Sequence, residues 1–248
     1  MNHVEKLYVK AARGELARAL APGEAMRCSA GLGIDGDVHA NRLSPRQVLV
    51  TSRSELDALS IKAGALFENI VVSLESDAAF KPGAALVTQR GVEIWLTMYC
   101  EPCQRIAGVG PGLGAMVNRR GILGRIVGGG QIVAGDSVRL IAQRYPALPE
   151  PVLARYLEAV ASIPQGRVAR YLDVTIAMGV DQSFVRAIPG YIKRSAGQHV
   201  PCHRIVDARG RLPAIVPGQA ERLEREGVRV QPGAERDWVD LERYLWRG

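Results

Sequence analysis

The feature that most constrains this chain is a short run near its middle, Tyr145-Pro-Ala-Leu-Pro-Glu-Pro151, with three prolines in seven residues. Proline fixes φ and removes a backbone donor, so such a run continues neither a sheet nor a helix and reads as a stiff linker. The residues on its two sides follow different periods. Before it, glycines separate short β-branched runs at Arg46–Thr51, Asn69–Ser73, Ala85–Gln89, Glu93–Tyr99 and Ser137–Ile141, the pattern of an all-β barrel or sandwich. After it, Val152, Leu153, Tyr156, Leu157, Val160 and Ala161 recur at helical spacing until Ile163-Pro164 ends the pattern. The expectation is a multidomain chain: an all-β N-terminal domain over 1–142, a linker over 143–151 and a mainly α C-terminal domain over 152–248.

A length of 248 residues is enough for two such cores. The N-terminal stretch MNHVEKLYVKAARGE carries scattered charges, and nowhere do 18 apolar residues run together, which predicts a cytoplasmic protein with no membrane partner. Four cysteines in a reducing compartment argue against a disulfide framework and leave packing, catalysis or metal binding. The net charge of +7 suggests an anionic partner. Between residues 167 and 211 eight basic residues (Arg167, Arg170, Arg186, Lys193, Arg194, Arg204, Arg209, Arg211) face three acidic ones (Asp173, Asp181, Asp207), the footprint of a phosphate-backbone contact.

In the first half, Gly33-Ile-Asp-Gly-Asp-Val-His-Ala40, Phe67-Glu-Asn-Ile-Val-Val72, Cys100-Glu-Pro-Cys-Gln-Arg-Ile106 and the glycine-rich stretch from Gly121 to Leu140 occur in that order. Together they resemble the MOSC family, named for the C-terminal domain of molybdenum-cofactor sulfurase. The resemblance implies a β-barrel with a basic groove for the molybdenum cofactor, a molybdopterin. Cys103 would be the molybdenum ligand, with Cys100, Glu68, Asn69 and His39 contributing to the groove. A thiolate is a soft ligand suited to such a metal. The Cys100/Cys103 pair could also be half of a zinc site, although no second C-x-x-C follows. Asp35 and Asp37 flank Gly36 and fit a turn.

In the second half, a helix over Leu172–Met178, a break at Gly179 and a basic helix from Asp181 or Ser183 to Arg194 make a helix-turn-helix outline. Pro201-Cys-His-Arg204, together with the spacing of Tyr171 and Arg186 before it, resembles the DNA-binding domain of O6-alkylguanine-DNA alkyltransferases and of the alkyltransferase-like proteins. The resemblance implies a winged-helix-like fold that binds double-stranded DNA. An alkylated guanine must leave the duplex at a cost of a few kcal/mol in stacking and pairing. By resemblance Tyr171 crowds the 3′ phosphate and Arg186 enters the gap, with Arg204, Lys193 and Arg194 as further DNA contacts. The resemblance also implies that Cys202 is the alkyl acceptor and that His203 activates it through a water.

The chain departs from the family pattern in three places. In the alkyltransferases a glutamate on a later helix holds the histidine, and aligning Glu226-Gly227 with the end of that helix puts its position on Ala220, next to Glu221. The glycine- and serine-rich substrate loop is replaced by Leu212-Pro-Ala-Ile-Val-Pro-Gly-Gln-Ala-Glu-Arg-Leu-Glu-Arg-Glu-Gly227, which looks more like the alkyltransferase-like proteins. Pro189 lies inside the expected recognition helix, where it predicts a kink. Two functions therefore stand side by side: a suicide transferase using Cys202, or a non-enzymatic lesion sensor that recruits another pathway, such as nucleotide-excision-repair proteins. A third has the whole chain as a molybdenum-dependent enzyme, a reductase of N-hydroxylated bases or a sulfur carrier, whose helical domain binds a protein partner.

Overall fold

A computed structural model describes residues 1–248 as two compact units, Met1–Leu148 and Pro149–Gly248. The first unit holds β1 (His3–Val9), β2 (Arg18–Ala19), β3 (Met26–Ser29), β4 (Gly33–Ile34), β5 (Val48–Ser52) and β6 (Ile70–Ser73). These are followed by β7 (Ala85–Thr88), β8 (Glu93–Tyr99), β9 (Ile122–Gly128), β10 (Gly130–Ile132) and β11 (Val138–Ile141). A short helix, α1 (Arg53–Ala58), follows β5 and is capped by the Ser52 hydroxyl, which accepts from the Glu55 amide.

The main sheet runs β11-β7-β8-β9-β5-β6-β1-β2, antiparallel throughout except for the parallel pair β5–β6. Its ends meet: His3 bridges Ser137, and the Val4 and Val138 amides donate to the Asp136 and Asn2 carbonyls. The sheet therefore closes into a barrel, which leaves its long strands without open edges. Period-two alternation decides which side chains fill it. In β8, Ile94 and Leu96 have no exposed surface and pack with Val50, Ile70, Leu86 and Ile126, each contributing about 1.5–3 kcal/mol of burial.

The expected linker does not begin at 143. Tyr145 packs on Trp95 with ring centroids 5.6 Å apart and donates to Glu93 Oε1 at 2.6 Å, while the Leu148 amide donates to the Thr97 carbonyl. Aromatic burial and two backbone hydrogen bonds hold the extended proline-containing stretch on the barrel as far as Leu148.

The second unit contains α2 (Val152–Ala161), β12 (Ala169–Arg170), α3 (Tyr171–Ala177), α4 (Ile188–Arg194) and β13 (Ile205–Val206), then α5 (Gln219–Arg225), β14 (Val230–Gln231), β15 (Trp238–Val239) and α6 (Leu241–Tyr244). The apolar stripe read from the sequence is real: Tyr156, Ala159 and Val160 of α2 pack with Val174 and Met178 and with Ile188 and Ile192 of α4. Gly179 turns the chain at φ +65°, a conformation that costs glycine little. The recognition segment differs from the expected single helix. It is a 3₁₀ turn over Gln182–Ala187 followed by α4, and Pro189 occupies the first turn of α4. There its missing N–H has no helical partner to lose, so it starts the helix instead of kinking it. The small β14–β15 pair supplies the wing. No helix of the chain is long and apolar enough to cross a membrane.

Candidate functional site

Cys202 opens a 3₁₀ turn, Cys202–Arg204, that leads directly into β13. Its sulfur is partly exposed and lies 3.3 Å from Tyr156 Oη and 3.2 Å from Ser195 Oγ. It borders a cavity of about 220 Å³ whose walls include Ile192, Ser195, Val200, Val216 and Arg222. Its lining is mixed, with apolar side chains, a few polar groups and one thiol, which suits a partly apolar guest.

His203 points its Nε2 at Glu226 Oε1, 2.7 Å away. Glu226 also accepts from Arg204 through Nε at 2.9 Å and Nη2 at 2.8 Å, and from the Gly166 amide. Burial alone would raise the Glu226 carboxyl, but the hydrogen bonds from Arg204 and His203 hold it down to about 2. Burial lowers the His203 pKa despite the attraction of Glu226. A neutral imidazole donating from Nε2 to an ionised carboxylate carries its lone pair on Nδ1, and His203 Nδ1 is buried without a protein partner. The ring is thus set as a base.

This corrects two expectations. The holding glutamate is neither Ala220 nor its neighbour: Ala220 packs in a hydrophobic cluster and Glu221 is exposed. It is Glu226, the residue that ends α5, with Gly227 at φ +81° turning the chain beyond it. Arg204, expected on DNA, is instead an internal brace. Its side chain is only 16% exposed and is committed to Glu226 and the Ile163 carbonyl.

The remaining expected DNA contacts lie elsewhere on the unit. Tyr171 is the first residue of α3, half-buried, with its hydroxyl pKa raised by burial. Arg186 is exposed on the 3₁₀ turn, and Lys193 and Arg194 are exposed in the last turn of α4. The Arg194 guanidinium lies 4.2 Å from the Tyr191 ring centre, a cation–π contact. Of the eight basic residues, Arg170, Arg204 and Arg211 are tied to Asp173, Glu226 and Asp207.

In the barrel unit the five residues expected around a cofactor are placed differently from one another. Cys103 is partly exposed, with Arg120 Nη1 3.5 Å from its sulfur. Cys100 is 2% exposed in an apolar cluster with Leu49 and Leu123, and burial pushes its thiol up. Glu68 has no exposed surface and accepts from the Gly64 and Leu66 amides, so it braces the loop before β6. Asn69 accepts from the Leu49 amide and donates to the Tyr8 carbonyl and to Asp37 Oδ2. Asp37, buried, also takes the His39 amide and Nδ1, leaving His39 at the surface. Of the five, only Cys103 and His39 reach solvent. Asp35 accepts from Ser29 Oγ, and both acids shape the turn as expected.

A model of the 6-O-methylguanine DNA methyltransferase DNA-binding domain matches residues 151–228. The DNA base-flipping protein of Escherichia coli K12 is 34% identical over 96 residues, covering 37% of this chain and 71% of the relative. Through its C-terminal unit the chain belongs to this methyltransferase DNA-binding family. The family unit also resembles S. pombe Atl1, solved with damaged DNA containing O6-carboxymethylguanine, at 27% identity, 39% coverage of this chain, 95% of that chain and a TM-score of 0.36. The barrel, outside the methyltransferase-family unit, resembles the YuaD protein from Bacillus subtilis at 20% identity and a TM-score of 0.50, covering 56% of this chain and 96% of that chain. That likeness is one of fold, and it agrees with the barrel implied by the MOSC motifs.

Proposed function

We propose that the C-terminal unit extrudes O6-alkylguanine from double-stranded DNA and accepts the alkyl group on Cys202. The observation that carries this is the His203–Glu226 pair, next to Cys202 in sequence, with the His203 lone pair on Nδ1. The thiol proton passes to that lone pair through a bridging water. The thiolate then attacks the alkyl carbon: the S–C bond forms, the C–O6 bond breaks, and the electron pair leaves on guanine, which takes up one proton. Tyr171 and Arg186 carry the extrusion, the first against phosphate and the second filling the gap with a flat cation. Lys193 and Arg194 add phosphate contacts.

The test is intact-protein mass after incubation with an O6-methylguanine duplex. A gain of one methyl that Cys202→Ser abolishes is the expected result. Tight lesion binding with unchanged mass would leave a sensor that hands the lesion to other repair proteins, a role favoured by Ile215, Val216 and Pro217 on the cavity wall where the transferases carry glycine and serine. Unchanged lesion affinity in Arg186→Ala would sink the base-flipping assignment.

For the barrel unit the proposal is a molybdenum cofactor held at Cys103. The fit rests on the donor set: a partly exposed soft sulfur beside a guanidinium whose Nε is buried without a partner. When bound, the group would supply two-electron redox chemistry at the metal. Cys103 would ligate it, Arg120 would donate to the sulfur, and His39 would offer an exposed imidazole. Elemental analysis of protein from a cofactor-competent host is expected to show molybdenum that Cys103→Ser loses; metal-free parent protein would overturn the assignment.

A further inference from the structure

The Cys202 sulfur has two hydroxyl neighbours that alkyl transfer, as described above, leaves without a task. Tyr156 of α2 has no exposed surface, and its ring stacks on Tyr191 with centroids 5.3 Å apart. Packing therefore fixes the direction of Oη, and it points at the sulfur, 3.3 Å away. A buried tyrosine where a phenylalanine would fill the same space needs a use for its hydroxyl. Ser195, 2% exposed at the end of α4, places Oγ 3.2 Å from the same sulfur and donates to the Ile192 carbonyl at 3.0 Å.

From this geometry we infer that Tyr156 and Ser195 form a two-hydroxyl cradle that positions the Cys202 sulfur and stabilises its thiolate. Both are positioning residues for the transfer reaction, and that purpose rests on the transfer function proposed above. The hydrogen-bond inventory closes in each state. With the thiol protonated, Tyr156 donates to sulfur, the S–H donates to Ser195 Oγ, and Ser195 donates to the Ile192 carbonyl. Once the proton has moved to His203, the Ser195 hydroxyl rotates and both hydroxyls donate to the anion. Hydrogen bonds to a charged acceptor are the strong ones, and burial raises the Tyr156 hydroxyl pKa, so Oη keeps its proton near neutral pH. After the S–C bond has formed and the C–O6 pair has left with guanine, the sulfur is a neutral thioether and the cradle has no charge left to hold. The other titratable and charged groups around this cluster are Tyr171 on α3, Arg222 on α5 and, next to Cys202 in sequence, His203 with its Glu226 and Arg204.

The experiment is the pH profile of Cys202 carboxamidomethylation by iodoacetamide in the full chain, read by peptide mass, for the parent, Tyr156→Phe and Ser195→Ala. Each substitution is expected to move the profile up by about one pH unit, a roughly tenfold slower reaction at neutral pH that higher pH restores, as loss of one hydrogen bond to a charged group implies. Methyl transfer from an O6-methylguanine duplex is expected to slow by a similar factor, with the same recovery. Profiles that superimpose on the parent, or a slowing that is equal at every pH, overturn the cradle. Should Tyr156→Phe lose its helical circular-dichroism signal, Ser195→Ala decides alone. Shifted profiles in a protein that transfers no methyl would uphold the cradle and sink the transfer function. Superimposed profiles with transfer intact would sink the cradle only.

Discussion

Cys103 in the barrel unit lies 3.5 Å from a guanidinium, whereas Cys202 in the helical unit faces two neutral hydroxyls and borders a cavity with His203 alongside it in sequence. The buried carboxylates differ in the same way. Glu68 is held by backbone amides and burial raises its pKa, while Glu226, also under burial, is driven down by Arg204 and His203. The barrel neutralises polar groups locally and keeps them as scaffold. The helical unit links its charges into a chain that ends on a base, and such linked groups are where chemistry is expected.

The largest predicted contrast is between thiols. Cys28, buried in the barrel, has its thiol pushed up to about 12, so at neutral pH it should hold roughly a thousandfold less thiolate than an ordinary cysteine. Maleimide labelling of the native protein should reach Cys103 and Cys202 first, and Cys28 and Cys100 only on unfolding. Early labelling of Cys28 would show that the barrel opens.

Next in size, Glu226→Ala leaves Arg204 buried without its partner and should cost the helical unit about 3 kcal/mol, read as a lowered denaturation midpoint of that unit. Glu226→Gln, which can still accept a hydrogen bond from His203, should cost less. An unchanged midpoint in both would mean that the pair is not formed in solution.

The pH dependences of the two units should have opposite signs. The folded-state pKa of His203 is lowered, so the unfolded chain binds the proton first, and the helical unit loses stability as pH falls below about 6.5. Glu226, held at about 2, adds a further loss between about 4.5 and 2. In the barrel Glu68 is raised and Glu55 is raised to about 7 by burial and by Asp77. Their folded forms take up protons first, so they stabilise the barrel as pH falls from about 7 towards 4.5. Melting each unit across this range checks the signs. The smallest effect is at a cap: Asp173→Ala removes the acceptor of the Arg170 amide at the start of α3 and should cost about 1 kcal/mol.

Much of this was legible in the residue order. The strand from Glu93 to Tyr99 and the helix stripe from Val152 to Ala161 fall where their periods put them, because each pattern is local and its apolar face has one place to go. Glu226 was not legible by offset. A helix-end residue is aimed by the turn beyond it, and counting back from Glu226-Gly227 landed on Ala220, a packing residue. Tyr156 reads in sequence as one more apolar position of a helix; only packing shows that its hydroxyl meets a sulfur 46 residues away. Arg204 counts as positive charge in any tally of residues, yet its partner is inside the unit.

The sequence by itself determined the two-unit plan, the all-β and mainly α characters of the halves, and the Pro-Cys-His-Arg segment with its thiol, since these follow from backbone restriction, side-chain period and residue chemistry over short spans. The tertiary structure decided which carboxylate holds His203, that Arg204 is tied to that carboxylate inside the unit, that Cys100 is buried while Cys103 is not, and where the barrel ends. Those outcomes depend on distances between residues far apart in the chain. They are set by how the elements pack, and no local pattern encodes them.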